Sequence, residues 1–227
     1  MADLLNPRRS CLLLSLLLLC WAPGAFGEEG WERVATIEGV EIYQREARQI
    51  EGVAFRGVIE TDLHVGQVIR VFVDAEERPH WVYRHADQEA LDLEEPNGSW
   101  SERYWVRVDM PFPATDRDYV FHTVYEFRPD ERVVTADIRS VEDRRKPEQE
   151  CCVRARSITH YKVEALPGRE RTRITVEVEV DLGGRLPAWI TRGARREWPV
   201  ETLRALVARA AQAGVDERVA DWHEAVP

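Results

Sequence analysis

Hydrophobic and polar residues alternate along several stretches of the chain, and a period of two predicts β-strands. Residues 40–45 and 53–59 form the first such pair, which we expect to run antiparallel. Five later stretches follow at 100–108, 118–128, 132–140, 151–164 and 171–181. Turn signals at 96–98, 129–131 and 166–168 separate these stretches. Consecutive strands of this kind are expected to pair as a meander.

The alternation also predicts which face of the sheet is covered. The inward set is apolar with a few hydroxyls: Tyr104, Val106, Val108, Tyr119, Phe121, Thr123, Tyr125, Ile174, Val176, Val178 and Val180. The opposite set is charged or polar: Arg103, Arg107, His122, Glu126, Arg173, Glu177 and Glu179. This division is typical of an antiparallel sheet with one face buried and the other in water.

A helical period appears in two regions of the chain. Val65, Val68, Ile69 and Phe72 share one helix face, and we expect that helix to start near Asp62. A sequence resembling a capping box at 74–77 predicts a second short helix leading to Trp81.

A long helix is predicted near the end of the chain, over residues 187–213. Its apolar positions are Trp189, Leu203, Leu206, Val207 and Ala210. Pro199 either begins a helix here or kinks a longer one. The order of elements predicts a single α+β domain in which a curved antiparallel sheet wraps around the closing helix.

The first 27 residues are typical of a secretory signal peptide. Arg8 and Arg9 precede a twelve-residue apolar run at 11–22, which is too short to span a bilayer, and small residues follow. We expect cleavage near Gly27-Glu28, secretion across the inner membrane and a periplasmic location for residues 28–227. A lipid anchor on Cys20 is the alternative, but Leu19 occupies the position where a small residue normally precedes the lipidated cysteine.

Charge and cysteine content narrow the function classes. The formal net charge is −10, and removing residues 1–27 changes it to −11, which argues against nucleic acid as a partner. Only Cys151 and Cys152 remain after cleavage, and we expect two small apolar side chains without a bond between them. The six histidines have no ligand-pair spacing, so the sequence predicts neither a metal nor a cofactor. We expect a monomer.

Several segments resemble the StAR-related lipid-transfer (START) domain family. They are Trp31, 39–45, Phe55-Arg56, Asp74, Trp81, the Pro111-Phe112-Pro113 run leading to 116–120, and 172–175 followed by 181–189. The resemblance covers about residues 31–213. It implies a helix-grip fold, in which a sheet grips the C-terminal helix around an apolar cavity for one lipid or sterol.

The resemblance turns the inward face into a candidate cavity wall. The expected wall residues are Tyr104, Val106, Val108, Tyr119, Phe121, Thr123, Tyr125, Ile174, Val176, Val178 and Trp189. Sterol-binding members often place an acid–base pair in the cavity, at positions that correspond to Tyr104 and Thr123 here. Neither residue is charged, so a sterol is not favoured.

The family also implies a lid at residues 108–115, opposite the start of the C-terminal helix. Met110 and Phe112 are the candidate lid residues, and Trp189 and Ile190 would face them. Clustered arginines follow at Arg192, Arg195 and Arg196, so we expect transient docking on an anionic membrane surface. In the alternative interpretation, Phe112 caps the cavity, and the arginines pair with Glu197 and Glu201.

The remaining motif residues are given structural roles. Arg117 and Asp118 are expected to hold a loop rather than to contact ligand. Asp181, Gly183, Gly184 and Pro187 belong to the strand-to-helix connection, where the glycines would allow a sharp turn.

The predicted function is therefore a non-enzymatic carrier of a lipid or another hydrophobic small molecule. Two alternatives stay open. A polyketide cyclase or aromatase could use the same cavity, with acid–base chemistry at Tyr104, Tyr119 or Tyr125. An interaction module would instead have its pocket filled by side chains.

Overall fold

Ten β-strands form one sheet in the computed structural model, which describes residues 30–94, 99–167 and 170–223. The strands are β1 Glu32–Ile37, β2 Val40–Glu46, β3 Val53–Thr61, β4 His85–Glu94, β5 Ser99–Val108, β6 Asp116–Arg128, β7 Val133–Ser140, β8 Cys152–Arg154, β9 Arg156–Leu166 and β10 Arg171–Asp181. The predicted signal peptide, the turn at 96–98 and the end of the turn at 166–168 lie outside the described residues.

The order of strands across the sheet is β1-β2-β3-β10-β9-β7-β6-β5-β4. All neighbours on this path run antiparallel, so the predicted pair β2–β3 and the predicted meander from β5 to β10 are confirmed. The expected strand at 151–164 is divided, because short β8 leaves the path and pairs in parallel with β6.

Two strands at the edges of the sheet, β1 and β4, were not predicted from the pattern. Most of their residues are exposed or half-buried, and β4 carries acidic side chains at four of its ten positions. An edge strand with no covered face has no need to alternate, so its sequence gives no period-two signal.

The two short helices follow β3, as predicted. Helix α1 spans Val65–Phe72, and the side chain of His64, rather than a group at Asp62, caps its first turn. Helix α2 spans Arg78–Trp81. The expected capping box is absent there: Asp74 accepts from the Glu76 N–H (2.8 Å), while Glu77 binds Arg209 of the closing helix (2.5–2.8 Å).

Helix α3 spans Ala188–Ala210 and lies across the concave face of the sheet, with Pro199 inside it. Its buried side chains Leu203 and Leu206 join the main core. Gly57 on β3 allows the close approach, since a Cβ atom there would lie 2.8 Å from the Pro199 Cβ. A sheet that grips one long helix is the architecture predicted from the sequence.

The predicted inward set of β10 is buried: Ile174, Val176, Val178 and Val180. Glu179, which was expected in water, is only 3% exposed. Its carboxylate accepts from Arg45 (2.9 Å) and from the N–H groups of Arg48 (3.0 Å) and Gln49 (2.8 Å). The β2–β3 loop therefore folds over this carboxylate, and the expectation for Glu179 was wrong.

The expectation of two unbonded cysteines is also wrong, because a disulfide bond joins Cys151 and Cys152. Cys151 lies in an exposed turn and only Cys152 belongs to β8, so the two side chains are not held on opposite faces of one strand. Among the helices of the described residues, none combines the length and the apolarity needed to cross a bilayer.

Candidate ligand-binding cavity

A cavity of about 370 Å³ lies between the concave face of the sheet, α2 and the first half of α3. This volume falls near the lower end of the range for small-molecule sites, roughly 300–1,000 Å³. The predicted residues that line it are Tyr104, Val106, Val108, Met110, Tyr119, Phe121, Tyr125, Val178, Trp189 and Ile190. Side chains from strands β5, β6 and β10 thus converge on one apolar space.

Three expected wall residues, Thr123, Ile174 and Val176, are buried but do not line the cavity. Val176 lies close to Gly57, at the place where Pro199 and Leu203 of α3 pack directly on the sheet. Helix α3 therefore occupies the space in front of this part of β10. Alternation identifies an inward side chain, whereas the position of the helix decides whether it faces ligand or core.

A buried ion pair at the inner end of the cavity was not predicted. Arg78 on α2 binds Glu102 on β5, and these side chains are only 7% and 10% exposed. The Arg78 guanidinium also lies 4.0 Å from the ring centroid of Tyr104, and the Tyr125 hydroxyl donates to Glu102 (2.8 Å). We call Arg78, Trp81, Glu102, Tyr104 and Tyr125 the inner cluster.

One feature of the sequence could have predicted this cluster. Glu102 precedes Tyr104 by two residues on β5, so both side chains belong to the inward face. A buried carboxylate is costly unless it is paired or hydrogen-bonded, so a basic or hydrogen-bonding partner is expected for Glu102. The resemblance had indicated Tyr104 and Thr123, and neither carries charge. Both residues lie next to the pair, since Tyr104 stacks under Arg78 and Thr123 is the cross-strand partner of Glu102.

Four of the tyrosines that line the cavity are buried, and their phenols are neutral over the physiological range. Burial raises the pKa of all four above the ordinary tyrosine value: Tyr104, Tyr119, Tyr125 and Tyr161. Trp81 also lines the cavity, and its indole N–H is buried without a hydrogen-bond partner among the described residues. The inner end therefore offers fixed polar groups to one part of a ligand, while the rest of the wall is apolar.

The mouth of the cavity lies between the 108–115 loop and the start of α3. Met110, Pro111 and Trp189 line it, while Phe112 points into solvent and is 92% exposed. Trp189 is itself 48% exposed. Two large apolar side chains therefore stand in water at the rim.

The three arginines expected to dock on a membrane lie on the first half of α3 and differ in exposure. Arg192 and Arg196 are exposed, whereas Arg195 is half-buried and lines a separate surface pocket with residues 44–53. Glu197, a partner in the alternative interpretation, accepts instead from the Tyr83 hydroxyl (3.4 Å).

Arg117 and Asp118 lie next to the cavity without lining it. Arg117 donates to the carbonyls of Leu182 (2.8 Å) and Gly183 (3.0 Å), and also to that of Thr115. Asp118 is fully buried and accepts from Arg154 and from the Trp105 indole (2.8 Å). These contacts fasten the lid loop, β8 and the connection to α3 to one another.

The connection from β10 to α3 is built as a turn. Gly183 and Gly184 both have φ near +65°, which only glycine adopts without strain. Asp181 accepts from the Gly183 N–H (2.9 Å), and Pro187 precedes the first residue of α3. Within the described ranges, no three His, Cys, Asp or Glu side chains are grouped to hold a metal ion.

Comparison with known proteins agrees with this architecture. The family model described as START domain matches residues 24–214. An uncharacterized protein of Pseudomonas aeruginosa is 26% identical over 78% of this chain and 85% of its own length. Phosphatidylcholine transfer protein of Bos taurus is 24% identical over 81% of this chain and 85% of its own length.

A solved structure has the same fold. The crystal structure of a STAR-related lipid transfer protein fragment from Xanthomonas axonopodis superposes with a TM-score of 0.68 and 24% identity. The match covers 81% of this chain and all of that one.

Proposed function

This chain belongs to the START domain family, and we propose that it binds a lipid or another hydrophobic small molecule and carries it between membranes across the periplasm. The observation that carries the proposal is the cavity itself, with an apolar wall and a polar inner end. Removing apolar ligand surface from water supplies about 25 cal/mol per Å².

The inner cluster supports a ligand with one polar end. The Trp81 indole N–H has no partner, and Arg78 and Glu102 form a pair that is already neutral overall. A ligand oxygen at this end would satisfy a buried donor, whereas an entirely apolar ligand would leave it unsatisfied. An amphiphile with its polar group inward therefore fits better than a plain hydrocarbon.

The rim supports exchange at a membrane surface. Phe112 and Trp189 offer exposed apolar area, and the cations Arg192 and Arg196 lie on the same half of α3 as Trp189. Apolar side chains that enter the interface beside cations favour an anionic bilayer. Ligand would then pass through the mouth without crossing water.

The raised pKa of the buried phenols favours carriage over catalysis. General acid–base catalysis works best when the pKa of the group lies near the working pH. Burial moves the phenols of Tyr104 and Tyr125 away from that range. The open cavity likewise favours carriage over an interaction module with a filled pocket.

The first test is mass spectrometry of whatever co-purifies with the protein from its native host. We expect a stoichiometric amphiphile that is released by organic solvent. Protein that retains no hydrophobic molecule and accepts none from vesicles would contradict the proposal.

The second test addresses the rim through Phe112→Asp. Transfer between vesicles containing phosphatidylglycerol is expected to slow about tenfold or more, since burying one phenylalanine is worth about 1.5–3 kcal/mol. Equilibrium binding should change little, because Phe112 lies outside the cavity wall. Leu93→Asp is the matched control: Leu93 is 67% exposed and lies about 26 Å along β4 from His85 at the mouth. Equal slowing by both variants would contradict docking through this rim.

A further inference from the structure

Packed aromatic rings close the inner end of the cavity. The centroid of the Phe72 ring lies 5.1 Å from that of Tyr161 and 6.0 Å from that of Trp81, and all three side chains are buried. Beside this end, α3 packs directly on the sheet, where Pro199 lies against Gly57. The cavity can therefore grow only by displacing packed core residues, which is costly.

The volume of this space limits the ligand to one short chain. A methylene group fills about as much space as a water molecule does in the liquid, roughly 30 Å³, so a cavity of about 370 Å³ accommodates about twelve such groups. Two chains of about eighteen carbons each would need roughly 1,000 Å³ on the same scale. A sterol, with about 27 carbons, also exceeds the cavity.

The inner end has no free charge for an ionised head group. Arg78 and Glu102 neutralise each other. His85 also lines the cavity, and burial together with the nearby Arg78 cation lowers the pKa of its imidazole, which favours the neutral ring at physiological pH. A carboxylate or phosphate placed here would be a buried charge without a counterion, which is costly.

The mouth does not favour an anionic head group either. Arg84 lies 3.5 Å from Asp109, and Glu197 accepts from the Tyr83 hydroxyl (3.4 Å). Of these three charged side chains, one is a cation and two are acids. A ligand carboxylate therefore gains little from the wall at this end.

The inner end does present hydrogen-bonding groups to an uncharged oxygen. The Trp81 indole N–H is buried without a partner among the described residues, and it can only donate. The Tyr161 ring lies 6.2 Å from the Trp81 ring, and its hydroxyl can donate or accept. A ligand hydroxyl or carbonyl can accept from Trp81, whereas an ammonium group can only donate and would leave the indole N–H unsatisfied.

We propose that the ligand is a single-chain amphiphile with an uncharged oxygen head, the class of fatty alcohols and fatty ketones, and that the oxygen lies at the inner end. This inference rests on the proposed function and names the ligand class for the same cavity. It excludes ionised fatty acids by charge, and diacyl lipids and sterols by size.

Isothermal titration calorimetry of the purified protein with 1-decanol and with decanoate tests the charge of the head group. The two probes have the same chain length and differ at the head, and decanoate is ionised at pH 7.5. We expect 1-decanol to bind with a Kd at least about tenfold lower, because only decanoate adds a charge to the cavity. Equal or tighter binding of decanoate would overturn the inference.

Vesicles of dioleoyl phosphatidylcholine, with and without cholesterol, test the size limit. The protein is incubated with the vesicles and separated from them, and its bound lipid is then extracted and quantified. We expect neither lipid at a stoichiometric level, and stoichiometric capture of either one would overturn the inference while leaving carriage intact. If an amphiphile co-purifies with the protein but 1-decanol does not bind, the inference fails and the proposed function stands.

Two substitutions test the position of the ligand oxygen. Trp81→Phe keeps an aromatic ring but removes the N–H, so the affinity for 1-decanol should fall about 2- to 12-fold. The control Tyr83→Phe removes a hydroxyl at the mouth and should leave the affinity unchanged. No loss in Trp81→Phe, or equal losses in both variants, would contradict the inner position. If circular dichroism shows that Trp81→Phe is unfolded, the comparison of 1-decanol with decanoate in the unmodified protein decides.

Discussion

Replacing Glu102 by methionine is expected to destabilise the protein by about 3–5 kcal/mol, because it leaves the guanidinium of Arg78 buried without a counterion. The Arg78 side chain is 7% exposed, so water cannot replace the lost carboxylate. Arg78→Met should cost a similar amount, since it leaves the buried Glu102 carboxylate without its counterion and with the hydrogen bond from the Tyr125 hydroxyl.

The double variant distinguishes pairing from burial. With both charges removed, three contacts are lost: that between Arg78 and the Tyr104 ring, the long hydrogen bond from Arg78 to Gln88 (3.4 Å), and the acceptor of the Tyr125 hydroxyl. These losses are worth about 2–3 kcal/mol together, well below the sum of the two single variants. The measurement is urea unfolding followed by circular dichroism, with the free energies combined in a double-mutant cycle.

An exposed pair provides the matched control. Arg173 binds Glu60 (2.7 Å) on the outer face, and both side chains are about two-fifths exposed. The same cycle on this pair should give a coupling energy below about 1 kcal/mol. The reasoning would be refuted if each variant of the inner pair cost less than about 1 kcal/mol, or if the double variant equalled the sum of the single variants.

Two further predictions concern the cavity wall. Val178→Arg should abolish ligand retention in native mass spectrometry, since Val178 lines the cavity. The control Glu177→Gln, on the opposite face of β10, should retain ligand. If both variants had equal effects, the assignment of Val178 to the cavity face and of Glu177 to the outer face would be wrong. Burial raises the pKa of Tyr104, Tyr119, Tyr125 and Tyr161, so the absorbance of these four phenols at 295 nm should not change until the pH passes the ordinary value of about 10. The stability of the fold should decrease as the pH rises further. Ionisation of all the tyrosines near pH 10 in folded protein would refute this.

The sequence by itself determined those features that depend on neighbours in the chain. Alternation identified β5, β6 and β10 and the face that each one buries. The period of α1 and the apolar positions of α3 predicted both helices. The strand β4 escaped prediction because an exposed edge strand imposes no alternation on its residues.

Tertiary structure decided which inward residues meet a ligand. Val176 and Val178 are equivalent in the sequence pattern, yet α3 covers the first and the cavity opens in front of the second. Arg78 and Glu102 meet because α2 packs on α3 and β4, which places the Arg78 side chain beside β5. No local pattern in the sequence encodes this contact.

The same distinction holds for buried polar groups. Glu179 belongs to the polar face in the alternation of β10, yet the β2–β3 loop folds over its carboxylate. Local periodicity records which side of an element is buried, whereas the partner of a buried polar group depends on how distant elements pack. This chain forms its candidate site from such distant contacts.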